Sequence, residues 1–161
     1  MELVDLLNNR KELIGETADK HFVPKGKYRL SIHVWIIDKE QNLLIQQRVS
    51  SAHKFPNMWT NTGGAVSAGE SSLNATIREL KEELGIDVVP DDLELIASYQ
   101  RLNDYADVWV LNRNIKLSDL KLQKEEVQDV KWVTIDEFKN MLSKNLAVKS
   151  SFDYFMLYLN K

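Results

Sequence analysis

The spacing of apolar residues changes at a glycine pair, and that change limits what this chain can fold into. Before Gly63-Gly64 the apolar residues fall in short runs rich in β-branched and aromatic side chains. After it, Leu73, Ile77, Leu80 and Leu84 recur at i, i+4, i+7 and i+11. The first pattern is that of strands; the second is one face of a helix. "YRLSIHVWIID" reads as a strand, and "NLLIQQR" follows it across the polar turn Asp38 to Gln41, so the two form a hairpin. "MWTNTGGAV" is a third strand ending in the glycines, and Gly85 is placed to stop the helix. Ahead of these, a strand-like piece from Leu3 to Leu7 precedes the one strong break, the turn "FVPKGKYR". Beyond the helix come three more strand-like runs, "LELIASYQRL", "DVWVLNRNI" and "DVKWVTI". A helix opens at Thr134, with an acid at the next-but-one position, and a last one covers Ser151 to Leu159. Strands and helices mix without strict βαβ alternation, which predicts a mixed sheet with helices packed on it.

The helix after the glycines carries an oddity. Glu79, Glu82 and Glu83 crowd into five positions, although like charges three or four apart on a helix repel. At 100° per residue the apolar stripe is about 60° wide, Glu79 and Glu83 lie about 40° apart beside it, and Glu82 lies about 60° beyond Glu79. The three can converge at the border of the buried face. Such a point suits a hard divalent cation, and Mg²⁺ takes oxygen ligands while keeping waters and substrate phosphates. The ordinary alternative is a solvated acidic face balanced by Arg78 and Lys81.

Composition narrows the partners. A formal net charge of −3 with a pI near 5.7 argues against nucleic acid, which needs a basic face. The absence of cysteine excludes disulfides, thiolate catalysis and cysteine-bound zinc. The first sixteen residues mix acids and bases and do not read as a signal peptide. No stretch approaches the ~20 apolar residues of a membrane span. The expectation is a soluble, cytoplasmic protein with no membrane partner. Its 161 residues suit one domain.

A wider motif turns the acidic helix from curiosity into signature. Gly64, Glu70, Arg78-Glu79-Leu80, Glu82-Glu83 and Gly85-Ile86 match every specified position of G-x5-E-x7-R-E-U-x-E-E-x-G-U, where U is a bulky aliphatic residue. By average residue usage a chance match is on the order of one in ten million. Residues 64–86 therefore resemble the Nudix box. The resemblance implies a Nudix-type α/β/α sandwich of the α/β (α+β) class, a mixed sheet with the box loop and helix. It implies a hydrolase that cleaves a diphosphate linkage with Mg²⁺, or Mn²⁺ in its place. It implies metal ligands at Glu79 and Glu83, with Glu82 as a further ligand or supporting acid, and at the backbone carbonyl of Gly63. Arg78 would orient the carboxylates and Glu70 would pair with it.

The general base differs among Nudix enzymes. In "KLQKEEVQDVKWV", Glu126 resembles the distal acidic position, with Glu125 as the alternate. Arg48 resembles a phosphate contact, with Lys54 a weaker candidate. Trp59, Phe55, Tyr99 and Trp109 could stack a base, although large aromatics are by default core residues.

"GETADKHFVPKGKYRLSIHVWIIDKEQNLLIQQRVSSAHKFPNMWTNT" also looks like the front half of type I isopentenyl-diphosphate isomerases. Those enzymes need a cysteine just after W-T-N and a histidine cluster for metal. Here the cysteine is absent, His21 alone matches the cluster, and Tyr28 and Val66 fall on the other positions. The expectation is hydrolysis and no isomerase activity, with His33 packed in the core of a strand. A fold retained for binding without turnover is the third reading; the intact acid set weighs against it. The resemblance implies a small-molecule diphosphate substrate without naming it, and leaves a homodimer open.

Overall fold

The computed structural model describes all of residues 1–161. Nine strands and three helices follow in order: β1 (Leu3–Leu7), β2 (Leu13–Asp19), β3 (Arg29–Ile37), β4 (Leu43–Arg48), β5 (Trp59–Thr60), β6 (Thr62–Ala65), α1 (Ser72–Leu84), β7 (Leu93–Gln100), β8 (Asp104–Asn112), β9 (Val127–Val133), α2 (Ile135–Ser143) and α3 (Phe152–Leu159). β1 and β2 form a separate antiparallel hairpin, and the other strands make a seven-stranded mixed sheet.

The sheet is built on β3. Its full length pairs with β8 in parallel, and β8 pairs with β7 antiparallel. The expected β3–β4 hairpin forms, its turn held by the Asp38 carboxylate accepting the N–H groups of Glu40 (2.9 Å) and Asn42 (2.8 Å). It stays paired only at Ile36–Leu44 and Ile37–Leu43. Then the strands splay. β6 takes the freed edge of β3, β5 takes that of β4, and the outer edge of β4 binds β9.

Alternation along the strands supplies two cores. Ile32, Val34, Ile36, Leu44, Trp109 and Leu111 point to one face and pack on Ala75, Leu80 and Leu84 of α1. Trp35, Ile37, Leu43, Ile45, Val108 and Val110 point to the other and pack on Phe138 and Met141 of α2 and Phe152 and Phe155 of α3. Trp35 anchors the second core, stacked on Phe155 at 5.2 Å and edge-on to Phe138 at 5.7 Å.

One strand lies outside the expectations, and two expectations need correction. β2 was not foreseen: its residues are mostly exposed and include Gly15 at φ 75°, so no apolar alternation marks it. "MWTNTGGAV" is not one strand; the chain crosses at Asn61 from the edge of β4 to that of β3. The acid that closes the cap of α2 is Glu137 rather than Asp136, because its carboxylate reaches back to the Thr134 N–H (3.0 Å) while Thr134 Oγ1 accepts the Glu137 N–H (3.0 Å).

Candidate active site

α1 is positioned at both ends. Ser71 caps its start, accepting the Asn74 N–H at 3.1 Å. Gly85 ends it in the left-handed conformation at φ 72°. Its apolar stripe lies on the sheet, so Glu79 and Glu83 at the border of that stripe are drawn in, at 9% and 7% exposure. The Glu79 carboxylate lies against the backbone of Gly64. A Cβ on Gly64 would stand 2.5 Å from Glu79 Oε1, so a larger residue there would displace the Glu79 carboxylate.

Arg78 organises one side of this acid group. Its Nε and Nη2 donate to both oxygens of Glu70 (2.8 and 2.9 Å), and Nη2 also donates to the Ala65 carbonyl (3.1 Å). Nη1 donates to Glu79 Oε1 (2.9 Å) and Glu82 Oε2 (3.2 Å). The paired arrangement lifts Arg78 above the usual guanidinium range, chiefly through its bonds to Glu70, and those bonds hold Glu70 below the usual carboxylate range.

Glu83 has a different environment. Gln46 Nε2 donates to Glu83 Oε2 at 2.6 Å, and Gln46 Oε1 accepts from Thr62 Oγ1 at 2.8 Å. This Thr62–Gln46 relay, buried throughout, ties β6 to β4 to α1. Burial pushes the Glu83 carboxyl well up, the Glu79 charge adds to this, and the Gln46 bond opposes it only in part. Burial also pushes Glu79 up, against the pull of Arg78. The two carboxyls are close enough that each shifts the other. Apart from Arg78, no cation pairs with either one.

The three glutamates do not meet at one point as the helical wheel suggested. Glu82 points outward, its side chain 47% exposed, and no group of three acidic or histidine side chains encloses a common point. Helix geometry already sets Glu82 about 100° from its neighbour Glu83, and Arg78 Nη1 bonds Glu82 on that side at 3.2 Å.

The remaining expected residues scatter around this pair. Gly63 pairs with His33 in the β3–β6 ladder, and its missing Cβ points at the Ile32 carbonyl (2.8 Å) rather than at the acids. Glu126 is exposed, yet near enough that its charge raises Glu83. Glu125 is exposed. Arg48 spends Nε on the Lys54 carbonyl (2.7 Å), so it braces the loop after β4, while the Lys54 side chain is exposed and bonded to no other group. Trp109 is core, its ring N–H donating to Ser72 Oγ (3.0 Å). Trp59 is half-buried beneath the Lys131 ammonium at 4.4 Å, and Tyr99 is half-buried, stacked on Tyr154 at 4.1 Å. Phe55 breaks the default of burial, at 50% exposure. His33 is a core residue as expected, bonded through Nδ1 to Ser151 Oγ (2.9 Å) and lowered by burial to about 4. His21 and His53 are exposed.

Two features escaped the sequence reading. Gln46 was missed although it carried a signal: it shares the inward register of Leu44, where a buried amide needs a polar partner. Gly85 does more than stop the helix. A Cβ there would stand 2.8 Å from Lys121 Cβ. The bare backbone lets the loop approach, so that Lys121 N–H bonds the Leu84 carbonyl (2.9 Å) and Gln123 N–H bonds that of Glu83 (3.0 Å). The segment leading to Glu126 is thereby latched to the end of the acidic helix.

Residues 27–153 match the NUDIX domain family. The chain belongs to the Nudix family of hydrolases. It is 38% identical over 145 residues to an uncharacterized Nudix hydrolase of Listeria monocytogenes, covering 89% of this chain and 86% of that protein. Against Nudix hydrolase 3 of Arabidopsis thaliana it is 34% identical over 158 residues, 89% of this chain but only 20% of that longer protein. A crystal structure of a Deinococcus radiodurans protein shares the fold with TM-score 0.79 at 23% identity, covering 94% of each chain. The Nudix domain of Shewanella oneidensis NrtR, solved with ADP-ribose, shares it with TM-score 0.64 at 21% identity, covering 89% and 92%. As a Nudix hydrolase the protein acts on pyrophosphate bonds. No helix in this Nudix fold is long and apolar enough to cross a membrane.

Proposed function

We propose that this Nudix hydrolase cleaves the diphosphate linkage of a nucleoside diphosphate joined to a second group, with Mg²⁺ as cofactor and Mn²⁺ as its substitute. One observation carries the reading: Glu79 and Glu83 are buried side by side with less positive charge than they need. A pair of buried carboxylates is costly unless a cation compensates it. The donor set is all oxygen, which fits Mg²⁺. Glu79 and Glu83 would hold the ion, with the Gly63 carbonyl as a further ligand and Glu82 as a supporting acid through Arg78. Such an ion, when bound, neutralises diphosphate oxygens and acidifies a water.

The chain's own groups do the rest. Arg78 fixes Glu79 Oε1, and Gln46 fixes Glu83 Oε2, so each carboxylate presents its other oxygen in a set direction. Glu126, exposed and near enough for its charge to raise Glu83, is the general base that accepts the proton of the attacking water, with Glu125 as the alternate. Arg48 keeps its terminal nitrogens free of protein partners while Nε braces the loop, and a guanidinium fork suits phosphate oxygens. Lys54 adds a second, exposed charge. Two structural neighbours support the substrate class: one was solved with ADP-ribose, and a Francisella tularensis enzyme, part ADP-ribose pyrophosphatase, with AMP and manganese.

The isomerase-like front end adds no isomerase activity to this proposal. The chain has no cysteine, so the acid/base group those isomerases need after W-T-N is missing. The test is release of phosphate and nucleotide from a panel of diphosphate compounds with Mg²⁺ and Mn²⁺, isopentenyl diphosphate included. Metal-dependent hydrolysis of a nucleoside diphosphate derivative is expected. Conversion of isopentenyl to dimethylallyl diphosphate, or hydrolysis indifferent to metal, would overturn the reading.

A further inference from the structure

The family match begins at residue 27, so the β1–β2 hairpin lies ahead of it. Yet this hairpin grips the loop that leads into α1. The Leu3 carbonyl accepts the Ala68 N–H at 2.9 Å. Asp5 Oδ2 accepts the Gly69 N–H at 2.8 Å. Glu2 Oε1 accepts from Ser67 Oγ at 3.3 Å, while its other oxygen takes the Lys20 ammonium at 2.7 Å. Three consecutive loop residues are thus held by Leu3 and Asp5 of β1 and by Glu2 just ahead of it.

The hairpin itself is firmly seated. Val4, Leu6 and Leu7 are buried. Leu7 exchanges backbone bonds with Tyr28 (2.7 and 3.0 Å). At the hairpin's far end Lys11 donates to Ser98 Oγ (2.7 Å) and to the buried Asp107 (2.8 Å).

What the grip holds is a tight turn. Glu70 N–H bonds the Ser67 carbonyl at 3.0 Å, with Gly69 at φ 79° in the third position, as a type II turn requires. The turn delivers Glu70, whose Oε1 also accepts the Ser67 N–H at 3.1 Å. Glu70 in turn takes two of the Arg78 nitrogens. The remaining nitrogen, Nη1, is what reaches Glu79 and Glu82. The route therefore runs from Asp5 and Leu3 through the turn to Glu70, to Arg78, and to the carboxylates.

We propose that the N-terminal hairpin is a positioning element of the hydrolytic site, with Asp5 holding the 67–70 turn so that Glu70 keeps Arg78 from collapsing onto Glu79 and Glu82. This rests on the metal-binding role proposed above for Glu79 and Glu83. Without the Asp5 bond the turn loosens, Glu70 releases Arg78, and the freed guanidinium quenches the acids that should hold the cation. Supporting residues around metal ligands change affinity by about 10–100-fold.

The test compares Asp5→Ala, Asp5→Asn and Val110→Ala with the wild-type chain. Val110 is a buried β8 residue on the opposite face, and its variant reports what general destabilisation does. Two readouts are taken: hydrogen exchange of the Ala68 and Gly69 amides without metal, and Mn²⁺ affinity by paramagnetic resonance. Asp5→Ala should speed exchange at both amides and weaken Mn²⁺ binding about tenfold. Asp5→Asn keeps an acceptor oxygen and should stay near wild type in both; Val110→Ala should leave Mn²⁺ affinity unchanged. Unchanged exchange or unchanged affinity in Asp5→Ala overturns the proposal, as does equal weakening in Val110→Ala. Glu83→Gln separates the two layers: if it binds Mn²⁺ like the wild type, the metal reading fails first, whatever Asp5 does.

Discussion

Two buried acidic groups sit on opposite faces of the sheet, and their charge balance is inverted. On the α1 face, Glu79 and Glu83 share one arginine, itself divided among three glutamates, and one amide; burial wins and both carboxyls are pushed up. On the other face stands a single acid, Asp104. Arg101 grips it at 2.7 and 2.6 Å, Ser31 donates to it at 2.8 Å, and Arg29 adds its charge. Burial pushes Asp104 up as well, but these partners outweigh burial and the net shift is downward. Both clusters are buried, charged and hydrogen-bonded. The difference is that Asp104 is complete with protein partners alone, whereas the glutamate pair leaves negative charge unmet. Burial by itself marks neither as chemical; the imbalance marks one of them.

The comparison can be broken most directly by neutralising each cluster. Glu79→Gln or Glu83→Gln should lower metal-dependent hydrolysis by about 10²–10³-fold, while the metal-free protein melts no lower than wild type, since a buried charge has been removed. Steady-state kinetics and a thermal melt of each variant check both halves.

A second effect belongs to the Asp104 face. His33 lies near Arg101 and is buried neutral, lowered from 6.5 to about 4 by burial first and by that arginine second. Above pH 6.5 the ring is neutral folded and unfolded, so its contribution to stability is intact. As pH falls from 6.5 toward 4 only the unfolded chain gains the proton, and stability drops by about 3 kcal/mol. Denaturant titrations across that range should show the slope in the wild type and its loss in His33→Asn.

Asp104→Asn should cost about 2 kcal/mol, below the usual penalty for a broken buried pair because Arg101 is partly solvated. Activity per folded molecule should not change. A loss of activity without loss of stability would erase the contrast drawn here. The smallest effect is expected at Glu82, exposed and bonded only to Arg78: Glu82→Gln should weaken metal activation by about tenfold or less.

The sequence made α1 legible because three independent signals agreed: the period of Leu73, Ile77, Leu80 and Leu84, the stop at Gly85, and the acids beside the stripe. The hairpin of β3 and β4 was legible for the same reason, with alternation on both sides of a polar turn. What stayed hidden was decided by tertiary contact. β2 has no apolar alternation because it lies over the surface, tied down through β1. The division of "MWTNTGGAV" depends on β3 and β4 splaying, which no local pattern encodes. The wheel gave Glu79 and Glu83 their common side and set Glu82 about 100° from Glu83, but the bonds of Arg78 to Glu70, Glu79 and Glu82 appear only in the folded chain. Gln46 and Asp5 act on residues 37 and 64 positions away, so the partner each one holds appears only in the folded chain.

The central claim is that the Glu79–Glu83 pair lacks positive charge that a divalent cation supplies. Calorimetric titration of Mg²⁺ into the wild type and Glu83→Gln, at neutral pH and without substrate, tests it most directly. The account predicts saturable binding to the wild type, weakened at least tenfold in the variant. Equal binding to both, or none to either, would contradict it.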